Sequence, residues 1–322
     1  MIKNQWYAIM ESKEVKDKPV GVVRLNEKLV LWRENSGKLS CIFDKCCHRG
    51  ASLSKGAIHN NRIQCPFHGF EYDGSGKVTT IPANGRAAKV PNRYRVNSYM
   101  VKEKYGLIWL WFSEDESDPP EIPFFEELTE GFYYSTFSEV WNVHYTRAIE
   151  NQLDVVHLPF VHDTTIGKGN KTIVNGPVVK WKDNQMTFYV SNEVDDGKKI
   201  ALKESEIVNY KDLFRLKFQM PNIWQNCISD EVRIFAAFAP IDQDNTKIYL
   251  RFYQRFLPIP VIGKVVTFIS NQFNKVILHQ DRRVVLTQIP KKSELKMNEM
   301  LIPGDRPIIE YRKRRELLKQ KD

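Results

Sequence analysis

Short apolar runs bounded by turn residues fill the first third of the chain. The clearest runs are residues 29–32, 39–43, 78–81 and 107–112. Runs of this length, rich in branched and aromatic side chains and separated by Gly, Asn or Asp, are typical of strands. Ser36-Gly37 precedes the second run, and glycine supplies the positive φ that a hairpin turn requires. The pattern therefore predicts a compact all-β domain with hairpins, and a second Gly-containing turn just before residue 78.

Longer elements follow a polar stretch at residues 113–123. Its sequence, SEDESDPPEIP, contains acidic side chains and three prolines, which neither a strand nor a helix interior tolerates well. The periodicity beyond it predicts a helix at 143–157, strands at 214–220, 232–239 and 247–256, and a long helix at 262–286. We therefore predict an α+β protein with an all-β domain over residues 1–115 and a domain with an antiparallel sheet over residues 116–322.

Composition limits the class of protein. With 42% hydrophobic and 27% charged residues among 322, the chain is unlike disordered, collagen-like or disulfide-scaffold proteins. The first 20 residues carry Lys or Glu every few positions, so they contain no signal-peptide core. The most apolar later stretch, residues 256–269, is too short to span a bilayer. We expect a cytoplasmic protein without a membrane span.

The net charge of +9 arises from scattered basic residues and one run near the C-terminus. The run is Arg312-Lys313-Arg314-Arg315. A diffuse excess of positive charge favours acidic partners without specifying one. We interpret the run as the solvated end of an amphipathic helix, and we expect no nucleic-acid partner.

Two of the five cysteines pair with histidines. Cys46 and His48 form a C-x-H pair, and Cys65 and His68 form a C-x-x-H pair after 16 intervening residues. Two thiolates and two imidazoles suit either a tetrahedral zinc ion or a two-iron cluster in which one iron takes both Cys and the other both His. A glycine follows each pair and would let backbone N–H groups approach cluster sulfides, which a zinc site lacks.

These segments resemble the Rieske [2Fe–2S] domain. The resemblance lies in C-x-H-R-G-A-x-L-S-x-G at residues 46–56 and C-P-F-H-G-F-x-Y-D at residues 65–73, and it covers most of residues 1–112. It implies that the two cysteines hold one iron and the two histidines hold the other, with the histidines facing an electron partner. Cys47 stands where the family usually has proline, and we expect it to be a non-ligand.

A second group of potential ligands follows residue 150. Asp154 and His157 are three residues apart, which would place them on one face of a helix, and His162 follows beyond Pro159. A turn disrupted by the proline could direct both imidazoles at one metal. Two His and one carboxylate form the facial triad of non-haem iron oxygenases, which leaves positions open for O₂.

This group also resembles a family pattern. The sequence [DE]-N-x-x-D-x-x-H-x-x-x-x-H at residues 150–162, followed by D-x(6)-Q at residues 281–288, is similar to the catalytic domain of Rieske non-haem iron oxygenases. The resemblance implies His157, His162 and Asp281 as iron ligands. It also implies a helix-grip, START-like catalytic domain built on an antiparallel sheet.

The third ligand is the least constrained by the sequence. Asp281 lies on the predicted helix 262–286, which could lie against the first helix, but spacing alone would not select it. Gln280 precedes it where the family commonly has Glu. Asp230 and Glu231 are weaker alternatives.

Together the resemblances imply the oxygenase component of a Rieske oxygenase system. It would use O₂ and electrons from an NAD(P)H-dependent reductase or a ferredoxin to hydroxylate, or to O- or N-demethylate, an aromatic or cyclic organic substrate. In this family the two metal sites of one subunit are too far apart for fast electron transfer. The resemblance therefore implies a head-to-tail homotrimer, in which Asp154 connects His157 to His68 of the partner subunit.

Other functions stay open. The E-N-x-x-D spacing is similar to the monooxygenase and demethylase branch, whereas the α subunits of ring cis-dihydroxylating dioxygenases typically have one more residue. A Rieske electron-transfer protein without oxygenase activity would need only the first site, and a zinc-binding module would need a basic face for nucleic acid. Six aromatic residues could line a substrate pocket, although a core explains alternating aromatics in strands better: Trp141, Phe214, Phe218, Trp224, Phe235 and Phe238.

Overall fold

The chain forms two compact units. The computed structural model describes residues 1–113, 118–257 and 259–320. The first unit consists mainly of residues 3–122, and the second mainly of residues 123–239 and 243–322. The predicted boundary between residues 115 and 116 lies outside the described residues and stays a prediction.

Three small antiparallel sheets make up the described part of the first unit. Its strands are β1 (Gln5–Glu11), β2 (Val20–Arg24), β3 (Glu27–Arg33), β4 (Leu39–Phe43), β5 (Ala57–His59), β6 (Arg62–Gln64), β7 (Glu71–Tyr72), β8 (Val78–Thr80), β9 (Val101–Lys104) and β10 (Leu107–Phe112). The strand orders are β1-β10-β9, β2-β3-β4 and β5-β6-β7-β8. The two predicted hairpins join β3 to β4 and β7 to β8, with positive φ at Gly37 and Gly76. The predicted all-β unit is confirmed.

One large sheet forms the frame of the second unit. Its strands are β11 (Tyr133–Trp141), β12 (Ile173–Lys182), β13 (Gln185–Glu193), β14 (Phe214–Gln219), β15 (Ile223–Cys227), β16 (Val232–Pro240) and β17 (Thr246–Gln254). The order is β11-β17-β16-β15-β14-β13-β12, so consecutive strands from β12 to β17 are neighbours and β11 closes one edge beside β17. The registers of β12 through β16 are antiparallel, which confirms the predicted sheet type.

Four helices accompany this sheet in the described residues. They are α1 (Tyr145–Leu153), α2 (Leu158–Val161), α3 (Pro260–Val285) and α4 (Arg306–Lys319). Helix α3 packs on β11 and β17, and both α1 and α2 contact α3. The side chain of Asn271 on α3 donates to the backbone oxygen of Ser135 on β11 at 2.7 Å, which fixes the helix on the sheet. None of these helices is long and apolar enough to cross a membrane.

Helix α1 is shorter than the predicted helix 143–157. The side chain of His144 caps its start, and the helix ends at Leu153 because Asp154 adopts an extended backbone. Oδ1 of Asp154 accepts the backbone N–H of His157 at 3.2 Å and that of the residue before it at 2.7 Å. Such local bonds compete with continuation of a helix. The prediction that Asp154 and His157 share one helix face is therefore wrong: both lie in the bend between α1 and α2.

The basic run of α4 is only partly solvated, because Lys313 is exposed whereas Arg312 and Arg315 are buried. Arg312 and Arg315 are only 3% and 1% exposed. Arg312 donates to both carboxylate oxygens of Glu150 on α1, at 2.7 and 2.9 Å, and Arg147 donates to the same carboxylate at 3.1 Å. Glu299 bridges the two arginines at 2.7 and 2.8 Å. The earlier interpretation is wrong for these two arginines because α4 turns them toward α1.

Loss of the Arg312 guanidinium should destabilise the second unit. Arg312→Ala leaves the buried Glu150 carboxylate without its bidentate partner, which typically costs about 3–5 kcal/mol. Lys313→Ala is the matched control, because the ion pair of Lys313 with Glu310 is exposed and worth about 0–1 kcal/mol. Urea unfolding followed by circular dichroism measures both. Equal unfolding free energies for the two variants would contradict the structural role of Arg312.

Candidate functional site

The four residues of the first predicted site lie in two similarly closed loops. One loop follows β4 and the other joins β6 to β7. The N–H of Gly50 donates to the carbonyl of Cys46 at 2.9 Å, and the N–H of Gly69 donates to the carbonyl of Cys65 at 3.1 Å. Both glycines have positive φ, +75° and +72°. Each loop can therefore close tightly just after its Cys/His pair, a conformation that an L side chain would strain.

The two loops present thiols to the interior and imidazoles to the surface. Cys46 and Cys65 are buried in the core of the unit, whereas His48 and His68 are exposed, with their ring centroids 4.7 Å apart. Burial raises the pKa of the Cys65 thiol, so a thiolate at this position requires a neighbouring cation.

The four residues of the first site divide into a buried pair of thiols and an exposed pair of imidazoles. A tetrahedral zinc ion holds all four of its ligands around one point. The separation of a buried sulfur side from an exposed imidazole side fits a two-iron cluster with mixed ligands better.

Tyr72 contacts this site although sequence reasoning did not single it out. Its hydroxyl donates to Cys46 Sγ at 3.1 Å, lies 3.3 Å from Cys47 Sγ and accepts the N–H of Cys47 at 3.0 Å. Burial raises the pKa of the Tyr72 phenol and keeps it a neutral donor. A hydrogen bond to a ligand sulfur stabilises the reduced cluster. Tyr72 lies inside the motif of residues 65–73, but nothing in the motif indicates which sulfur its hydroxyl reaches.

The structure brings the second predicted group together. His157 and His162 immediately flank α2, and Asp281 lies on α3, against which α2 packs. Asp281 Oδ1 is 3.0 Å from His162 Nε2 and 3.4 Å from His157 Nε2. His162 and Asp281 are almost fully buried. Although the four residues of α2, with a proline in the first turn, separate them, both imidazoles approach the same carboxylate oxygen.

The polar atoms of this group fit a bound divalent metal ion. Despite the short distances, Asp281 Oδ1 has no partner with hydrogen-bond geometry among the described residues. Burial alone would raise the pKa of Asp281, but the imidazoles of His157 and His162 offset it and hold this pKa at about 2. A buried carboxylate and two imidazole nitrogens directed at one point are the donor set of a two-His, one-carboxylate iron site.

Gln280 orients one of these imidazoles. Its Oε1 lies 2.9 Å from His162 Nδ1, and it also accepts the hydroxyl of Thr165 at 2.8 Å, while its Nε2 donates to Thr164 at 3.2 Å. These bonds fix the direction of the amide, so His162 Nδ1–H donates to Oε1 and Nε2 is free to coordinate. In the sequence Gln280 is visible only as a departure from a family pattern; only packing of α3 on the α2 segment reveals its role.

Asp154 lies beside the other imidazole. Its Oδ1 is 3.6 Å from His157 Nδ1, beyond hydrogen-bond distance, and its side chain is 30% exposed. The alternatives considered for the third ligand are elsewhere: Asp230 and Glu231 are exposed, and Asp230 pairs with Arg233.

A cavity of 680 Å³ opens beside His157, His162 and Asp281. It lies between one face of the sheet and α3. Its apolar lining includes Val190, Phe214, Leu216, Trp224, Ile234, Leu250 and Phe252 from the strands and Ile269, Phe273 and Ile277 from α3. Of the six aromatics named from the sequence, Phe214 and Trp224 line the cavity. The other four, Trp141, Phe218, Phe235 and Phe238, are buried and do not line it.

Comparison with protein families assigns both units. Residues 5–99 match the Rieske [2Fe–2S] domain. Residues 141–320, more than half of the chain, match the vanillate O-demethylase oxygenase C-terminal domain. The two matches fall on the two candidate sites described above.

Individual relatives cover different shares of the chain. Protein TIC 55 of Arabidopsis thaliana is 33% identical over 164 residues, which are 50% of this chain and 30% of that protein. Methylxanthine N1-demethylase NdmA of Pseudomonas putida is 27% identical over 300 residues, 92% of this chain and 81% of the relative. The vanillate O-demethylase oxygenase subunit of Pseudomonas sp. is 32% identical over 178 residues, 55% of this chain and 49% of the relative.

The fold agrees with these matches. The solved structure of NdmA from Pseudomonas putida superposes with a TM-score of 0.81 at 25% identity, over 98% of this chain and 90% of NdmA. The expected architecture, an all-β unit followed by a catalytic-type unit on an antiparallel sheet, is confirmed. Because two family matches and a full-length fold match agree, the chain belongs to the Rieske non-haem iron oxygenase family.

Proposed function

We propose that the chain is the oxygenase component of a Rieske oxygenase system, and that it hydroxylates, or removes an N- or O-methyl group from, a cyclic organic substrate. One observation carries this proposal: His157, His162 and Asp281 converge at a largely apolar cavity large enough for such a molecule. The relatives named as an N1-demethylase and an O-demethylase support the demethylase branch.

The residues of the chain would form two metal sites with different roles. Cys46, His48, Cys65 and His68 would hold the [2Fe–2S] cluster, and His157, His162 and Asp281 would hold a mononuclear Fe(II). When bound, the cluster supplies electrons one at a time, and the ferrous ion supplies a centre for O₂ activation with open positions. The amide of Gln280 holds the tautomer of His162 that can coordinate. The apolar lining excludes water and holds the substrate next to the three ligands.

An external electron donor follows from the stoichiometry. Demethylation consumes one O₂, two electrons and two protons, and it releases formaldehyde, water and the demethylated product. A Rieske cluster delivers one electron at a time, so the system needs a reductase or ferredoxin driven by NAD(P)H. The exposed position of His48 and His68 supports an encounter with such a partner at this surface.

We further propose a head-to-tail homotrimer in which each cluster serves the iron of the neighbouring subunit. Helix α3 supports subunit contact, because apolar side chains along its length are exposed, among them Val261, Val265, Phe268 and Val276. A rotation that closes after three subunits would pair the cluster surface of one copy with the Asp154 region of the next.

Two alternatives make different use of the same residues. A ring cis-dihydroxylating dioxygenase would keep both metal sites and form a diol instead of formaldehyde. A Rieske electron-transfer protein would need no second site, and the convergence of His157, His162 and Asp281 argues against it.

Separate variants should remove the two metals one at a time. His162→Ala removes a buried ligand of the second site and should abolish the EPR signal of the Fe(II)–nitric oxide adduct, while the signal of the dithionite-reduced cluster stays. His48→Ala should abolish the signal of the reduced cluster, while the signal of the Fe(II)–nitric oxide adduct stays. His279→Ala is the control and should keep both signals, because His279 contacts Glu139 and no predicted ligand.

The wild-type protein decides among the functions in the same experiment. Both signals, followed by formaldehyde release from a methylated substrate with NADH and a reductase, are expected. A cluster signal alone in iron-replete protein would instead favour an electron carrier, and two silent sites would favour zinc.

Asp154→Asn should slow electron transfer without removing either metal. The variant keeps the oxygen that accepts the N–H groups of Val156 and His157, but it loses the carboxylate charge beside His157. Mutation of a group that contacts a metal ligand typically lowers metal affinity or activity by about 10- to 100-fold. We therefore expect reoxidation of the reduced cluster by O₂ to slow by about that factor. Stopped-flow absorbance measures this rate. Asp163→Asn, at an exposed position, is the control, and a wild-type rate in Asp154→Asn would refute the bridging role.

Mixed oligomers should test the trimer. Cys65→Ser removes a cluster ligand and His162→Ala removes an iron ligand, so neither variant alone should show cluster-to-iron transfer. Co-produced in one cell, the two should form mixed trimers in which an intact cluster faces an intact iron, and activity should return. The control pairs Cys65→Ser with the Cys65→Ser/His162→Ala double variant, which has no intact cluster in any subunit. Failure of the first mixture to exceed this control would contradict transfer between subunits.

A further inference from the structure

We propose that the cavity beside His157, His162 and Asp281 takes an uncharged cyclic substrate that carries a hydrogen-bond acceptor next to a donor, as in an amide, and that Trp224 and Asn226 bind these two groups. This inference rests on the proposed function and deepens it by assigning the substrate class.

The charges around the cavity argue against an anionic substrate. Among the described residues that line it, none is Lys or Arg, and the charged side chains are the carboxylates of Asp154 and Asp281. Those two negative charges would balance the two positive charges of a bound Fe(II). A substrate carboxylate would enter without a cationic partner and would lose its hydration, which is costly in a largely apolar cavity.

The entrance is apolar as well. Five apolar side chains that line the cavity are also exposed to solvent: Ile166, Phe214, Ile228, Ile269 and Phe273. Exposed apolar side chains around a concave site are typical of a surface that binds an apolar body. A flat ring would bury its faces against them, whereas a strongly hydrated anion would gain nothing from them.

Two residues of β15 that line the cavity, Trp224 and Asn226, carry the polar atoms proposed to recognise the substrate. Trp224 is 5% exposed, and its Nε1 is buried without a hydrogen-bond partner among the described residues; the same is true of Asn226 Oδ1. Residues two apart on a strand face the same side, and both of these line the cavity. Nε1–H is a donor only, and Oδ1 is an acceptor.

These atoms require complementary groups on the ligand. A buried polar atom without a partner is destabilising, so each is expected to find one in the bound state. A carbonyl or ring nitrogen would accept from Trp224, and an N–H or O–H would donate to Asn226. A neutral amide group supplies both the acceptor and the donor, whereas a carboxylate supplies no donor.

A matched pair of probes tests the assignment. 4-Methoxybenzamide and 4-methoxybenzoate share the ring and the methyl group, but only the second is ionised at neutral pH. Each is titrated into the iron-loaded protein, and binding is followed as the change in the EPR spectrum of the Fe(II)–nitric oxide adduct. We expect the amide to bind at least about tenfold more tightly, because the carboxylate would be buried unpaired.

Variants of β15 connect this preference to the two side chains. Trp224→Phe removes the donor, and Asn226→Leu removes the amide at similar volume; each should weaken 4-methoxybenzamide about tenfold, the effect of one lost hydrogen bond in a buried site. Trp181→Phe is the control, because Trp181 packs against Arg314 outside the cavity and should leave affinity unchanged. Where one variant loses the EPR signal through misfolding, the other still gives the test.

The outcomes separate this inference from the proposed function. Absence of both EPR signals from the wild-type protein would overturn the function itself. With both signals present, equal or tighter binding of 4-methoxybenzoate, binding of neither probe, or an unchanged preference in the folded β15 variants would overturn the substrate class alone.

Discussion

The second unit depends on burying one carboxylate between two imidazoles. Asp281 is 3% exposed and lies at 3.0 and 3.4 Å from the nearest nitrogens of His162 and His157. A buried charge is tolerated only when groups of opposite charge or polar donors surround it. The bend between α1 and α2 must therefore stay against α3, because separation would take both imidazoles away from a buried negative charge.

Two sets of bonds hold the contact from opposite sides. On one side, the guanidinium groups of Arg312 and Arg147 bind the carboxylate of Glu150, which anchors α1 to the C-terminal helix. On the other side, Gln280 connects α3 to the residues just after α2 and directs the imidazole of His162. Buried charges of this kind add little net stability, but their geometry is exacting. Both sets of bonds connect the segments that carry His157, His162 and Asp281 to one another and to α4.

In the first unit, backbone geometry positions the Cys/His pairs. Its two glycine-closed loops place thiols in the core and imidazoles at the surface, with Tyr72 bonded to the buried sulfur side. The division suits the chemistry, since a low-dielectric sulfur side adjusts the potential of a cluster and an exposed imidazole side is accessible to an electron donor or acceptor. In the second unit the sheet and α3 enclose a largely apolar cavity next to His157, His162 and Asp281.

The sequence by itself determined the local elements and indicated most of the candidate ligands. Strands β4 and β10, the hairpin glycines and the long helix α3 follow from short-range pattern, and the Cys/His pairs are close in the chain, so local spacing reveals them. Tertiary structure decided the rest, because the groups concerned are distant in sequence. Spacing could not select Asp281, which meets His157 only where α3 packs on α2, and it placed Asp154 wrongly because a side-chain bond ends α1 early. Likewise, a charged run in the sequence predicts solvent exposure, and only the structure shows that Arg312 faces the buried carboxylate of Glu150. The alternation of aromatic residues in strands does not distinguish residues of the core from residues that line a cavity.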